Sequence, residues 1–267
     1  MAQLHQERIA REAPRRWLLL THGIYGAGSN WRGIARKVNE RRPDWGVILV
    51  DLRQHGRSEP GLPPHTVQAC AEDLRAVITD EVGALAGHSF GGKVVLATRA
   101  IAPATVEQTW MFDSSPSARE AEDSSVMRVL ELMERLPRTW HKRDDFVAAV
   151  VAEGHSLALA QWLAMNVVPD ASGTLALRLD LAAMRSLLDS YYETDLWEVA
   201  CDASLPGTLE MVLADRSQTV SAADRARLAQ APPHVHVHHI DAGHWLHIEA
   251  AATVVELLVQ GLPTALP

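Results

Sequence analysis

Ser89 stands in L-A-G-H-S-F-G-G-K (85–93), straight after an apolar run and among three glycines. G-H-S-F-G fits the G-x-S-x-G turn, in which a serine is held up on a strained bend between a strand and a helix. Glycine suits such a bend because the backbone presses on its neighbours and a side chain would clash. A serine hydroxyl is a weak nucleophile until a base takes its proton. D-A-G-H-W-L-H supplies His244 as that base, with His247 expected in the next helical turn. An acid must then orient the imidazole. Asp113, in F-D-S-S-P, is favoured over Asp215, in L-A-D-R-S, and helix capping is the competing role for either. Acyl transfer also needs donors for the developing oxyanion. The Phe90 N–H is one; H-G-I-Y-G supplies the other from Ile24, with Tyr25 beside it as an alternative.

These residues must be positioned by a frame. Apolar runs of strand length at 17–21, 46–52, 83–86, 106–112, 208–214 and 234–240 alternate with amphipathic stretches at 29–41, 66–79, 91–101, 221–231 and 250–262. Ser29 or Asn30 is the expected N-cap of the first helix. That alternation implies an α/β fold with a mostly parallel central sheet flanked by helices, whose sites lie at the carboxyl ends of the strands. His22, Asp51, Ser89 and Asp113 collect there. The rhythm breaks over 114–202, which has no convincing strand and reads as a helical cap, leaving 1–113 and 203–267 as the core.

The bulk properties exclude several classes. The chain has 267 residues, 47% hydrophobic and 22% charged, enough for one large domain. A net charge of −8 argues against nucleic acid or an anionic membrane surface as partner. Two distant cysteines, Cys70 and Cys201, read as buried thiols. No leader-like or membrane-spanning run is visible, so a cytoplasmic protein is expected, as monomer or homodimer.

The blocks L-L-T-H-G-I-Y-G, D-L-R-Q-H-G-R-S, A-G-H-S-F-G-G-K, F-D-S-S-P and A-G-H-W-L-H together resemble the α/β-hydrolase superfamily. More narrowly, they are similar to its small carboxylesterase branch with bacterial and mitochondrial members. The resemblance extends from about residue 17 to 260. It implies that the aspartate after the nucleophile helix is the acid, with a serine in the later loop, which supports Asp113 and Ser217. Departures are Gln54 for the usual Asn, Phe90 for Met, and A-D-R-S for G-G-N-S. The first two are expected to alter the pocket wall, and the third leaves Asp215 near the histidine.

Other features have plainer readings. H-V-H-V-H-H-I (234–240) fits a strand with valines inward and histidines outward, without a metal or a converging carboxylate. Asp51 and His55 are expected to brace a turn, Arg53 to pair with a carboxylate or line the entrance, and Lys93 to form a structural ion pair. Tyr25, Trp245, Trp140 and Trp162, with Met165, are the expected wall of a substrate pocket. The sequence thus predicts a serine esterase or thioesterase for small to medium acyl groups, needing no cofactor or metal. The alternatives are a cofactor-free perhydrolase, a C–C hydrolase or an acyltransferase on the same triad, or a non-catalytic binding protein.

Overall fold

Successive side chains of a strand point to opposite faces of its sheet, and here both faces are apolar. Leu18, Leu20, Val47, Leu49, Trp110 and Phe112 lie on one side, and Leu19, Ile48, Val50, Leu85 and Met111 on the other, all buried. A sheet apolar on both faces must be covered twice. The computed structural model describes residues 1–120 and 124–264; the parts of the expected cap and core at 121–123 and 265–267 lie outside these.

The strands, in chain order, are β1 (Gln6–Ile9), β2 (Arg16–Thr21), β3 (Trp45–Val50), β4 (Val82–His88), β5 (Gln108–Phe112), β6 (Thr139–Trp140), β7 (Val167–Pro169), β8 (Leu175–Leu177), β9 (Thr208–Ala214) and β10 (Val235–Ile240). Seven form the main sheet in the order β1-β3-β2-β4-β5-β9-β10, parallel except for the edge strand β1. The helices are α1 (Arg32–Arg41), α2 (Val67–Ala76), α3 (Phe90–Arg99), α4 (Ser125–Arg135), α5 (Arg143–Ala152), α6 (Leu157–Leu163), α7 (Leu181–Glu193), α8 (Trp197–Cys201), α9 (Ala222–Leu228), α10 (Leu246–Glu249) and α11 (Ala251–Gly261). Helices α1 and α11 pack together against one face, and α2 and α3 pack together against the other. Each leucine so buried contributes about 1.5–3 kcal/mol relative to exposure.

Several expectations are corrected. The segment 114–202 is not purely helical: β6, β8 and β7 pair as a small antiparallel sheet. Two- and three-residue strands carry too little periodicity to be read from sequence. Neither Ser29 nor Asn30 caps α1. The Gly28 N–H donates to Asp51 Oδ1 at 2.7 Å, and a 3-10 turn over Gly28–Trp31 precedes the helix. His247 does lie in a helical turn after His244, the short α10 ahead of α11. Cys70 is buried, whereas Cys201 is only half-buried.

Among the described residues, Lys93 makes no ion pair. Every residue of α3 is buried, and the Lys93 ammonium donates to the carbonyls of Ser117 (2.8 Å), Tyr191 (2.7 Å) and Thr194 (2.9 Å) while lying over the Tyr191 ring. Burial pushes it down to about 7, but three carbonyl acceptors call for all three N–H bonds of the charged form. Carbonyl dipoles replace the carboxylate. They join α3 to both ends of the segment between β5 and β9.

Among the described residues, no helix is long and apolar enough to cross a membrane.

Candidate active site

Ser89 sits between β4 and α3 with φ 52° and ψ −118°, a left-handed backbone uncommon for a side-chain-bearing residue. Strain of about 1–3 kcal/mol is the usual cost of such a conformation. Close packing maintains it: a Cβ on Gly87 would come within 2.1 Å of the Gly91 carbonyl oxygen, and one on Gly91 within 2.4 Å of the His22 oxygen. The Ser89 N–H donates to Phe112 O at 2.9 Å, pinning the turn to β5. The serine is the N-cap residue of α3 yet makes no side-chain cap. Its hydroxyl is therefore not spent on the helix.

Asp113 follows β5, also with positive φ (42°), and is fully buried. Its Oδ2 accepts from Ser217 Oγ at 2.5 Å and from His244 Nδ1 at 2.7 Å. Its Oδ1 accepts from the Ala214 N–H at 3.3 Å. Thr219 Oγ1 lies 3.0 Å from the same His244 nitrogen and 3.1 Å from Ser217 Oγ. Because a carboxylate only accepts, Nδ1 carries the imidazole proton and Nε2 is left to act as a base. Asp215 is turned elsewhere. Its Oδ1 lies 2.7 Å from His239 Nδ1 and 3.8 Å from the Arg225 guanidinium. Position 215 is one residue past the end of β9, and the strand's alternation sends it away from His244.

The loop after β2 is held by two imidazoles. His22 Nε2 accepts from the Leu52 N–H (3.1 Å) and its Nδ1 donates to Gly23 O (2.8 Å). His55 Nε2 accepts from the Tyr25 N–H (3.1 Å) and its Nδ1 donates to Arg53 O (2.8 Å). Burial lowers both, His55 to about 3, so each stays neutral and can accept. The Tyr25 N–H is therefore committed, which removes it as an oxyanion donor. The N–H groups of Ile24 and Phe90 donate to no other group among the described residues. Asp51 braces the neighbouring turn through the Gly28 and Arg57 N–H groups, and Arg53 forms a buried ion pair with Asp73 at 2.6 Å.

Ser89, His244, Ile24 and Phe90 line one cavity of about 810 Å³ beneath α4 and α6. Tyr25, Trp245 and Trp162 line it too, Trp162 meeting Trp245 edge-on with ring centres 4.6 Å apart. Trp140 and Met165 do not reach it. Trp140 is half-buried and packs edge-on against the buried Phe146 at 5.3 Å, and Met165 is exposed. Arg119, Ser124 and Tyr192 give the outer wall polar character.

The model of the alpha/beta hydrolase family matches residues 18–257, nearly the whole chain. The chain belongs to the α/β-hydrolase family.

Relatives of this hydrolase include the sn-1-specific diacylglycerol lipase ABHD11 of Danio rerio, 26% identical over 253 residues, covering 91% of this chain and 77% of the relative. Among solved structures, a marine microorganism esterase superposes with a TM-score of 0.86 at 21% identity, covering 98% of this chain and 100% of that one. An esterase of M. tuberculosis superposes with a TM-score of 0.76 at 22% identity, covering 99% and 90%. At such identities the two structures bear on the fold alone.

Two departures of this hydrolase from the branch pattern have physical consequences. Phe90 lies on the cavity wall, but Gln54 does not. Gln54 adopts φ 65°, a region in which Asn is the better tolerated residue, and its amide donates to Pro60 O at 3.2 Å. On β10 a carboxylate does converge on the histidines. Glu210 Oε1 meets His236 Nδ1 at 2.9 Å and Oε2 meets His238 Nε2 at 2.7 Å. Burial opposes charge on Glu210, but these contacts and Thr208 together lower its pKa. The partner was missed because Glu210 lies on β9, brought alongside only by sheet pairing. Among the described residues, no group of three or more His, Cys, Asp or Glu is arranged to hold a metal ion.

Two contacts of the base have no signal in the sequence. Thr219 is one. The other is His88, whose Nε2 lies 2.8 Å from the His244 carbonyl oxygen.

Proposed function

We propose that the protein is a serine hydrolase cleaving carboxylic esters, thioesters included, of small to medium acyl groups through an acyl-enzyme. One observation carries this reading: His244 Nδ1 is held 2.7 Å from a fully buried Asp113 while Ser89, on its strained turn, lines the same cavity. The ester-cleaving name of the Danio rerio relative supports the substrate class.

Ser89 Oγ attacks the carbonyl carbon as His244 Nε2 takes its proton, and Asp113 keeps the imidazolium in place through Nδ1–H. The carbonyl oxygen becomes an anion and accepts from the Ile24 and Phe90 N–H groups, each worth about 10²–10³ in rate. Collapse of the tetrahedral adduct breaks the bond to the leaving alcohol or thiol, which receives the proton from Nε2–H. The acyl group is now esterified to Ser89. Water, giving its proton to the same Nε2, attacks that ester; the second adduct expels Ser89 Oγ with return of the proton, and a carboxylic acid leaves. Atoms and protons balance over the cycle without a cofactor.

A fluorophosphonate probe should label the protein at Ser89, with labelling lost in Ser89→Ala. A panel of p-nitrophenyl esters graded by chain length then measures acyl preference. A folded protein that neither reacts with the probe nor turns over any ester or thioester would contradict the proposal.

A further inference from the structure

The distance between Ser89 and His244 is set by two chain segments far apart in sequence, and one side chain touches both. His88 is the last residue of β4 and directly precedes the serine. It is buried, with 3% of its surface exposed. Its Nε2 meets the His244 carbonyl oxygen at 2.8 Å, and its ring centre lies 4.7 Å from the His244 ring. Its ring centre also lies 4.9 Å from that of His247, and His247 stacks on Trp31 at 4.8 Å. Gly23, in the loop after β2, is close as well: a Cβ there would come within 3.2 Å of His88 Nδ1. One imidazole therefore abuts the nucleophile turn, the base loop and the Gly23 loop.

We propose that His88 is a positioning residue, whose Nε2–H holds the His244 carbonyl and so fixes the base relative to Ser89. The inference rests on the Ser89–His244 reading above. A carbonyl oxygen only accepts, so Nε2 carries the proton and Nδ1 is bare, in keeping with the tight approach of Gly23. Burial, with His244 and His247 adding to it, keeps His88 neutral far below the usual histidine range. A neutral ring suits the task, since a charged one would oppose protonation of His244 during the reaction. A base must come within about 2.6–3.2 Å of the proton it takes, and a 1 Å misplacement can cost about 10²-fold in rate.

Gln and Asn separate positioning from bulk. The amide nitrogen of Gln is as many bonds from Cβ as His Nε2, whereas that of Asn falls short. His88→Gln should keep kcat within about threefold of the parent. His88→Asn should lose about 10–100-fold in kcat and in fluorophosphonate labelling rate, with KM changed far less. His88→Phe, which keeps a ring against His247 but no donor, should behave as Asn does. Equal kcat in folded Gln and Asn variants, whether both high or both low, would overturn the inference. If His88→Asn does not fold, the Gln and Phe variants decide it by the same comparison. Failure of the parent protein itself to react with the probe would instead strike the underlying reading.

Discussion

His244 Nδ1 lies 2.7 Å from Asp113 Oδ2, although 131 residues separate them, while Asp215 on the neighbouring strand end points to His239. Parallel pairing of β5 with β9 makes both carboxylates near neighbours in space. Only one of them points into the site. Asp113 is fully buried and Asp215 is on the surface, so the two differ in the strength of the field each could apply to the imidazole.

Exchange of each acid for its amide separates the two roles. Asp113→Asn should lower kcat by roughly 10⁴-fold, because an amide can donate to Nδ1 and favour the wrong tautomer. Asp215→Asn should leave kcat within about twofold, since it alters only an exposed contact with His239 and Arg225. Steady-state kinetics on any turned-over ester check both. A large loss in Asp215→Asn with Asp113→Asn unaffected would reverse the assignment.

The two tryptophans taken together from the sequence should part company. Trp162→Ala enlarges the cavity beside Trp245 and should shift the kcat/KM ratio between long and short acyl esters by about tenfold. Trp140→Ala should leave that ratio unchanged. Its cost is stability, roughly 2–3 kcal/mol, less than for a fully buried tryptophan because Trp140 itself is only half-buried. An altered chain-length profile in Trp140→Ala would show that it reaches substrate.

Stability should fall with acid over a defined window. Burial lowers His55 to about 3 and His247 to about 4, against about 6.5 in an unfolded chain. Between about pH 4 and 6.5 the unfolded chain therefore binds more protons than the native one, so stability rises with pH there and is lost as pH drops. Each group contributes at most about 1.4 kcal/mol per pH unit. Urea midpoints at pH 7.5 and pH 5 measure the slope. His247→Phe should show a smaller drop between them than the parent; an equal drop would exclude His247 as a source.

Periodicity and punctuation determined much of this protein. Apolar runs one strand long predict β2 to β5 and β9, which are buried on both faces, and valine–histidine alternation predicts the edge strand β10. G-H-S-F-G and G-H-W mark Ser89 and His244 because a tight turn requires glycine whatever surrounds it. Local sequence carries such information. The tertiary structure alone decided what depends on pairing between distant segments: which aspartate faces His244, that His55 takes the Tyr25 N–H, that Glu210 stands under His236 and His238, and that Lys93 is met by carbonyls. It also separated Trp162 from Trp140, which helical spacing treats alike. In each of these, the partner is a backbone group or a side chain on another element, placed by sheet register and cap packing, and neither is written in the residues next door.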